Sequence, residues 1–473
     1  MTARFTGFVL AGMLAVATAG AQRPSFSDAV RRFITVDAPV VAITNVRVID
    51  GTGAPAREAQ TVVIRDDRIA AAGDAASVEV PAGAEVIDGT GRTLLPGLVM
   101  VHEHFYYPNG SGVYAQLGES FTRLYLAGGV TTLRTGGNVN GFMDLNLKSL
   151  VARGQKAGPA IDATAPYLNG PNSFVQMRAL EGAADARRQV GYWADMGATS
   201  FKAYMQITRD ELAAAIAEAH ARGMKVTGHL CSVTYAEAAA LGIDNLEHGF
   251  AAATDFVADK QPDQCPGQRA GQQTILDLDP DGEPFRALVR TLVDADVALT
   301  STLTVFETFT PGRPMPPGLD VLVPELREQF ERAYQRTAGN QSSRYVALFP
   351  KLMALERAFV EAGGLLVAGT DPTGSGGVIP GYSNQRMIEL LVEAGFTPVE
   401  AIRIGTLDGA TYLGRDATVG SIVAGKQADL VLVTGNPAAT IGDVRNVETV
   451  FRAGVGFDPV RLIDSVRGRV GLW

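Results

Sequence analysis

Four of the five histidines, one lysine and one aspartate stand where metal ligands could gather. His102 and His104 lie two apart in Leu98-Val99-Met100-Val101-His102-Glu103-His104. On an extended strand both side chains share a face and can grip one ion. His229 ends Lys225-Val226-Thr227-Gly228-His229, and His248 ends Asn245-Leu246-Glu247-His248. Asp371 closes Val367-Ala368-Gly369-Thr370-Asp371. Imidazole and carboxylate suit zinc and similar divalent ions. A lone His-x-His is a weak signal, because two packed histidines look the same. Recurrence of single histidines and an aspartate at the ends of other apolar runs strengthens it.

Lys202, in Thr199-Ser200-Phe201-Lys202-Ala203-Tyr204, is the discriminating residue. An ammonium repels a cation, so a lysine among metal ligands needs an explanation. Burial beside positive charge favours the neutral amine. A neutral amine can add carbon dioxide and become a carbamate, whose two oxygens can bridge two metals. The alternative is a lysine paired with a nearby carboxylate.

These residues need a scaffold that brings several strand ends together. From residue 95 the pattern alternates strand and helix, the signal for a parallel sheet. Strands are expected near Leu98–His102, Val130–Arg134, Ala160–Ala165, Thr199–Ala203, Lys225–His229, Asn245–His248, Ala298–Thr302 and Leu365–Thr370. Eight such strands favour an α/β fold of the (β/α)8 TIM-barrel type over residues 95–410, with ligands at the strand ends. Arg209–Arg222 reads as a helix stopped by Gly223. Two stretches, from Phe250 to about Leu292 and from Val305 to Ala362, are longer than a minimal βα unit requires. Before the barrel, residues 40–94 alternate short strands and turns; residues 411–459 return to that pattern. Together they are expected to form one discontinuous β-sandwich domain.

With 46% hydrophobic and 19% charged residues among 473, the chain can bury a large core. A net charge of −9 argues against nucleic acid as a partner. Residues 1–21 read as a signal peptide: Arg4, the apolar run Phe8–Val16, then Ala19-Gly20-Ala21 as a cleavage site. An uncleaved anchor is the alternative. Export, periplasmic or secreted, is therefore expected, with no stable membrane span after signal removal. Export also leaves open whether Cys231 and Cys265 form a disulfide or stay free thiols. Whether the chain forms a homo-oligomer is likewise left open.

Leu94-Leu95-Pro96-Gly97-Leu98 leading into His-x-His resembles the metal-dependent amidohydrolase superfamily. So do the fourth-strand lysine, the two later histidines, Gly369-Thr370-Asp371 and the closing stretches Gly405–Ala410, Gly420–Leu432 and Gly435-Asn436-Pro437. The pattern is most similar to the imidazolonepropionase-related branch with its prolidase-like dipeptidases. The resemblance implies two divalent ions, zinc before others: His102, His104 and Asp371 on one, His229 and His248 on the other, and carboxylated Lys202 bridging. It implies a shared hydroxide attacking a carbonyl, with Asp371 as general acid and base. One departure is that Val99-Met100-Val101 stands where the family carries an aspartate before His-x-His; Glu103 should point away from the metal.

Substrate contacts are expected from Tyr204, Tyr107, Arg134 and Asn384. Each has a packing alternative, and Arg134 could equally serve a structural ion pair. The glycine-rich loop from Pro372 to Asn384 reads as a lid or as a static loop. The reading is an exported zinc hydrolase of a small-molecule amide, a dipeptide or N-acyl amino acid. A cyclic amide or lactone would suit the same attack. A mononuclear deaminase fits less well, because it needs no bridging lysine, and intact ligands argue against a binding protein without catalysis.

Overall fold

The computed structural model describes residues 25–109, 113–171 and 176–471; the signal segment expected at residues 1–21 lies outside them. Eight parallel strands carry the fold's core. We label them β1 (Leu98–Glu103), β2 (Val130–Thr135), β3 (Ala160–Asp162), β4 (Ser200–Ala203), β5 (Lys225–Gly228), β6 (Asn245–Glu247), β7 (Ala298–Ser301) and β8 (Leu366–Ala368). All eight fall where strands were expected. Their residues are buried almost throughout, as strands covered on both faces must be.

Pairing joins β1, β2 and β3 in one sheet and β4 to β8 in another, every pair parallel. A parallel bridge links Thr164 to Ser200 across the gap between β3 and β4. The break after Asp162 is local: Thr164 turns its amide to the Thr135 hydroxyl and shares a hydrogen bond with Ser200 Oγ at 2.8 Å. At the other gap, the amides of Thr370 and Asp371, just past β8, both donate to the His102 carbonyl of β1 at 3.1 Å.

Helices separate the strands. Arg209–Ala221 shows how sequence sets their ends. Thr208 and Glu211 form a reciprocal capping box at its start, and Gly223, at φ 68°, turns the chain out just past its end. The long excursion after β7 is largely helical: Leu303–Glu307, Pro324–Ala338 and Tyr345–Glu361.

Nine further strands form one sheet that draws on both ends of the described chain, and Tyr106–Pro108 pairs with Tyr114–Gln116 in a separate two-stranded sheet. Arg92–Pro96 pairs antiparallel with Leu430–Thr434, so the late segment completes the early one. This sheet has its own apolar cluster, including Val41, Ile43, Val62, Ile64, Leu430 and Phe451, separate from the larger core. No helix among the described residues is long and apolar enough to cross a membrane.

One buried acid outside the site offers a test of packing. Glu356, on the helix Tyr345–Glu361, lies 1% exposed and accepts a hydrogen bond from Ser301 Oγ of β7 at 2.6 Å. Burial pushes its pKa up to about 8, only partly offset by that bond. Its folded pKa is raised, so the stability it contributes is full below about 4.5, the ordinary value, and is lost as pH rises through about 8. Glu356→Gln keeps an acceptor for Ser301 and removes the ionisation. Thermal unfolding should therefore show the variant more stable than the parent at pH 9, by an amount of order 1 kcal/mol or more, and nearly equal at pH 4.

Candidate metal centre

The C-terminal ends of β1, β4, β5, β6 and β8 meet, and all six expected ligands line one cavity of about 270 Å³. His102 Nε2 lies 3.7 Å and His104 Nε2 3.2 Å from Asp371 Oδ1. Potential ligand atoms of these three residues all fall within 4.8 Å of one another. Lys202 Nζ stands 3.1 Å from His102 Nε2. The His248 ring packs 4.7 Å from that of His102 and 4.4 Å from that of His229, centroid to centroid. His248 and Asp371 both take left-handed backbone, at φ 70° and 52°, which costs energy for residues other than glycine. That turn puts each side chain over the strand ends.

Burial governs the protonation of these groups. It lowers His229 to about 3 and His104 to about 4, so both imidazoles are neutral donors at neutral pH. Burial also brings Lys202 down to about 8, against the opposing pull of Glu247 and Asp371. For Asp371, burial alone would raise the pKa, but His102, His104 and His248 hold it well below the usual carboxylate range. Neutral imidazoles, a carboxylate and an amine within reach of its free base form a donor set that suits divalent cations.

Several supports were not singled out from the sequence. Glu247 Oε2 bonds His102 Nδ1 at 2.6 Å, leaving Nε2 toward the cavity. The Gly137 carbonyl holds His104 Nδ1 at 3.0 Å, and Thr302 Oγ1 holds His248 Nδ1 at 2.8 Å. Partners of this kind fix the tautomer and orientation of a ligating imidazole. Gly136 and Gly369 make room for His102: a Cβ there would come within 2.3 and 2.4 Å of its side chain. The only advance signal for Glu247 was its place beside His248 in a buried strand.

Of the expected substrate contacts, Tyr204 lines the cavity, its ring 4.8 Å from that of His229. The other three are placed elsewhere. Arg134 is 1% exposed and lies among the strands beneath the site. Its guanidinium donates to the Val101 carbonyl, Ser200 Oγ, Thr227 Oγ1 and Glu247 Oε1 at 2.9–3.2 Å, so it serves structure and not a substrate carboxylate. Tyr107 is buried, its hydroxyl accepting from the Gly377 amide at 2.7 Å, which anchors the glycine-rich loop. Asn384 caps Gly381 and donates to Glu103 Oε1 at 2.9 Å. Glu103 thus points away from the site, also accepting from the Thr370 hydroxyl, and burial pushes it up to about 8. His220 sits on the outer helix, bonded to Asp244 at 3.0 Å.

Cys231 and Cys265 are joined in a disulfide with their Cα atoms 4.8 Å apart. The bridge ties the excursion after β6 back to the end of β5, close to His229. That excursion leads into the helix Gln268–Asp277, whose Gln268 and Gln272 line the cavity. Two further loops are clasped at the mouth by Gln176, whose amide exchanges hydrogen bonds with the backbone N and O of Tyr114 at 2.7 and 3.0 Å.

Residues 333–456 match the Amidohydrolase family. The whole fold is similar to that of a candidate prolidase from Bifidobacterium longum, with a TM-score of 0.67 and 24% identity over 90% of this chain and 98% of that one. It is similar to a Xaa-Pro dipeptidase crystallised with methionine in its active site, with a TM-score of 0.66 and 20% identity over 89% and 100% of the two chains. It is also similar to Aspergillus niger ochratoxinase, with a TM-score of 0.64 and 18% identity over 92% and 100%. At such identities the likeness speaks to fold alone. A 56-residue stretch is 41% identical to a 5'-deoxyadenosine deaminase of Methanobrevibacter smithii, covering 12% of this chain and 13% of that protein.

The placement of Arg134 generates a test. Arg134→Met strands Glu247 as a buried carboxylate with one partner fewer. It is expected to destabilise the fold by about 3–5 kcal/mol in denaturant unfolding. A residue serving only to bind substrate would leave stability nearly unchanged and raise KM instead.

Proposed function

We propose that this protein is an exported binuclear zinc hydrolase that cleaves an amide bond in a small molecule of the dipeptide or N-acyl amino acid type. The observation that carries this reading is the position of Lys202: buried, its pKa brought down to about 8 and its Nζ 3.1 Å from His102 Nε2. In this reading the neutral amine attacks carbon dioxide, a C–N bond forms, and one proton is released to give the carbamate anion. His102, His104 and Asp371 would hold one ion, His229 and His248 the other, with modified Lys202 between them. Two bound divalent ions would supply Lewis acidity and a water that ionises near neutral pH.

The chain's own residues do the rest. Asp371 takes the proton of the attacking water and returns it to the leaving nitrogen. Its left-handed backbone keeps the carboxylate at the cavity floor, and Thr373 Oγ1 bonds Oδ1 at 2.9 Å, steadying it for that transfer. Glu247 holds His102 in one tautomer throughout. Tyr204 orients the substrate carbonyl from the wall. In the same reading the eight strands close as a barrel over residues 95–410, supported by the bonds from Thr370 and Asp371 to His102. The nine-stranded sheet wraps its own apolar cluster as a sandwich of residues 40–94 and 411–459. Export is supported by the Cys231–Cys265 bridge, since disulfides persist in oxidising compartments.

A second reading, a mononuclear deaminase, is favoured by the short identity to the deoxyadenosine deaminase. Metal content separates the two. Protein purified in bicarbonate without chelators should carry about two metals per chain by elemental analysis; about one would favour the deaminase. Lys202→Ala is expected to lose one or both metals and nearly all amidase activity, while His220→Ala keeps both. A Lys202→Ala protein with full metal content and activity would sink the bridging role.

A further inference from the structure

Two tyrosines beside His104 have no part in the reading above. The Tyr106 ring stacks on that of His104, 4.4 Å between centroids, and its hydroxyl lies 3.4 Å from His104 Nε2. The Tyr167 hydroxyl lies 2.5 Å from that of Tyr106, and both residues line the cavity. The pair of hydroxyls is therefore at the floor, next to a nitrogen proposed to hold an ion. Lys202 Nζ stands 5.8 Å from the centre of the Tyr167 ring, so that ring borders the proposed bridge as well. Gly137 makes its seat: the backbone there has φ 90°, and a Cβ would come within 2.4 Å of the Tyr167 ring. The carbonyl of the same glycine holds His104 Nδ1.

Counting protons orients the pair. A carbonyl only accepts, so His104 Nδ1 carries the ring's one proton and Nε2 is a bare lone pair. In the proposed reading that lone pair is given to an ion and cannot accept from Tyr106. Tyr106 then has the Tyr167 oxygen, at 2.5 Å, as its acceptor. Each phenol has a single O–H. Once Tyr106 donates to Tyr167, the Tyr167 proton must go elsewhere, and among the described residues its hydroxyl has no other hydrogen-bond partner. Accepting from one phenol also makes the other a stronger donor.

We infer that Tyr167 is a catalytic residue of this site: its hydroxyl, backed by Tyr106, donates to the oxygen that gains charge as water adds to the amide carbon. The inference rests on the amide-hydrolase reading and adds a group to it. Tyr167 contributes a hydrogen bond only and keeps its proton; the carbon–nitrogen bond breaks with Asp371 supplying the proton to nitrogen. A donor placed for a developing oxyanion acts most strongly in the transition state.

Tyr167→Phe keeps the ring and removes the hydroxyl. On whichever dipeptide or N-acetyl amino acid the zinc-loaded parent cleaves fastest, kcat should fall by about 100-fold or more while KM changes less than about threefold. Metal content should match the parent's. Tyr106→Phe should lose only about tenfold or less, because Tyr167 still donates. An unchanged kcat in Tyr167→Phe, a loss of metal from it, or a deeper loss in Tyr106→Phe overturns the inference and leaves amide hydrolysis standing. Should Tyr167→Phe not fold, Tyr106→Phe still decides: a loss of about 100-fold there puts the donor at Tyr106 and overturns the assignment.

Calorimetric binding reads the same bond without turnover. The phosphinic analogue of alanylalanine presents a charged oxygen on a tetrahedral centre, and the alkene analogue has no oxygen at that place. Tyr167→Phe should bind the phosphinic compound about 30-fold or more weakly than the parent does, and the alkene equally well. Equal weakening of both, or of neither, overturns the inference. If the parent cleaves no amide, the hydrolase reading fails, and this comparison alone decides whether Tyr167 is an oxyanion donor.

Discussion

A guanidinium and a carboxylate, buried together beneath the strand ends, set the terms for everything above them. Neither Arg134 nor Glu247 is more than 1% exposed, and neither could be buried alone without a cost of several kcal/mol. Together they are stable because Arg134 also donates to β1, β4 and β5, while Glu247 keeps one oxygen for His102. Burial alone would raise Glu247, but His102, Lys202 and Arg134 hold it well below its ordinary value. It therefore stays an anion and holds the Nδ1 proton of His102. One charge pair thus links five strands and aims the imidazole nearest Lys202.

The same low-polarity surroundings explain why the site can hold neutral donors. Burial that brings Lys202 down also brings down His104 and His229. A cluster of cations here would repel a metal; a cluster of free bases attracts one. The left-handed turns at His248 and Asp371, and the glycines that clear space for His102, show backbone conformation given over to placing these groups. Above them the cavity changes character. Aromatic rings and glutamines, contributed by the excursions after β6 and β7, replace charge, so the floor is suited to bond chemistry and the wall to selecting what enters.

Much of this was legible in the residues. Short apolar or β-branched runs ending in histidine, lysine or aspartate located strand ends, and those ends converge as a parallel α/β arrangement requires. For Tyr107, Arg134 and Asn384 the residues alone left substrate contact and packing both open, for one physical reason. Spacing along a strand or loop says which face a side chain takes, but not how deep it lies or which distant group it meets. Arg134 shares the end of β2 with no ligand, and its partners come from four other segments. Asn384 is held by Glu103, 281 positions away in the chain.

The sequence by itself determined the ligand types, their places at strand ends and the alternation that stacks those strands in parallel, because these follow from local periodicity and side-chain chemistry. Only the tertiary structure decided which polar groups sit under the floor and which face the cavity, and that Cys231 meets Cys265. Those outcomes depend on contacts between segments far apart in the chain, where burial and partner geometry, and not residue type, set what a side chain can do.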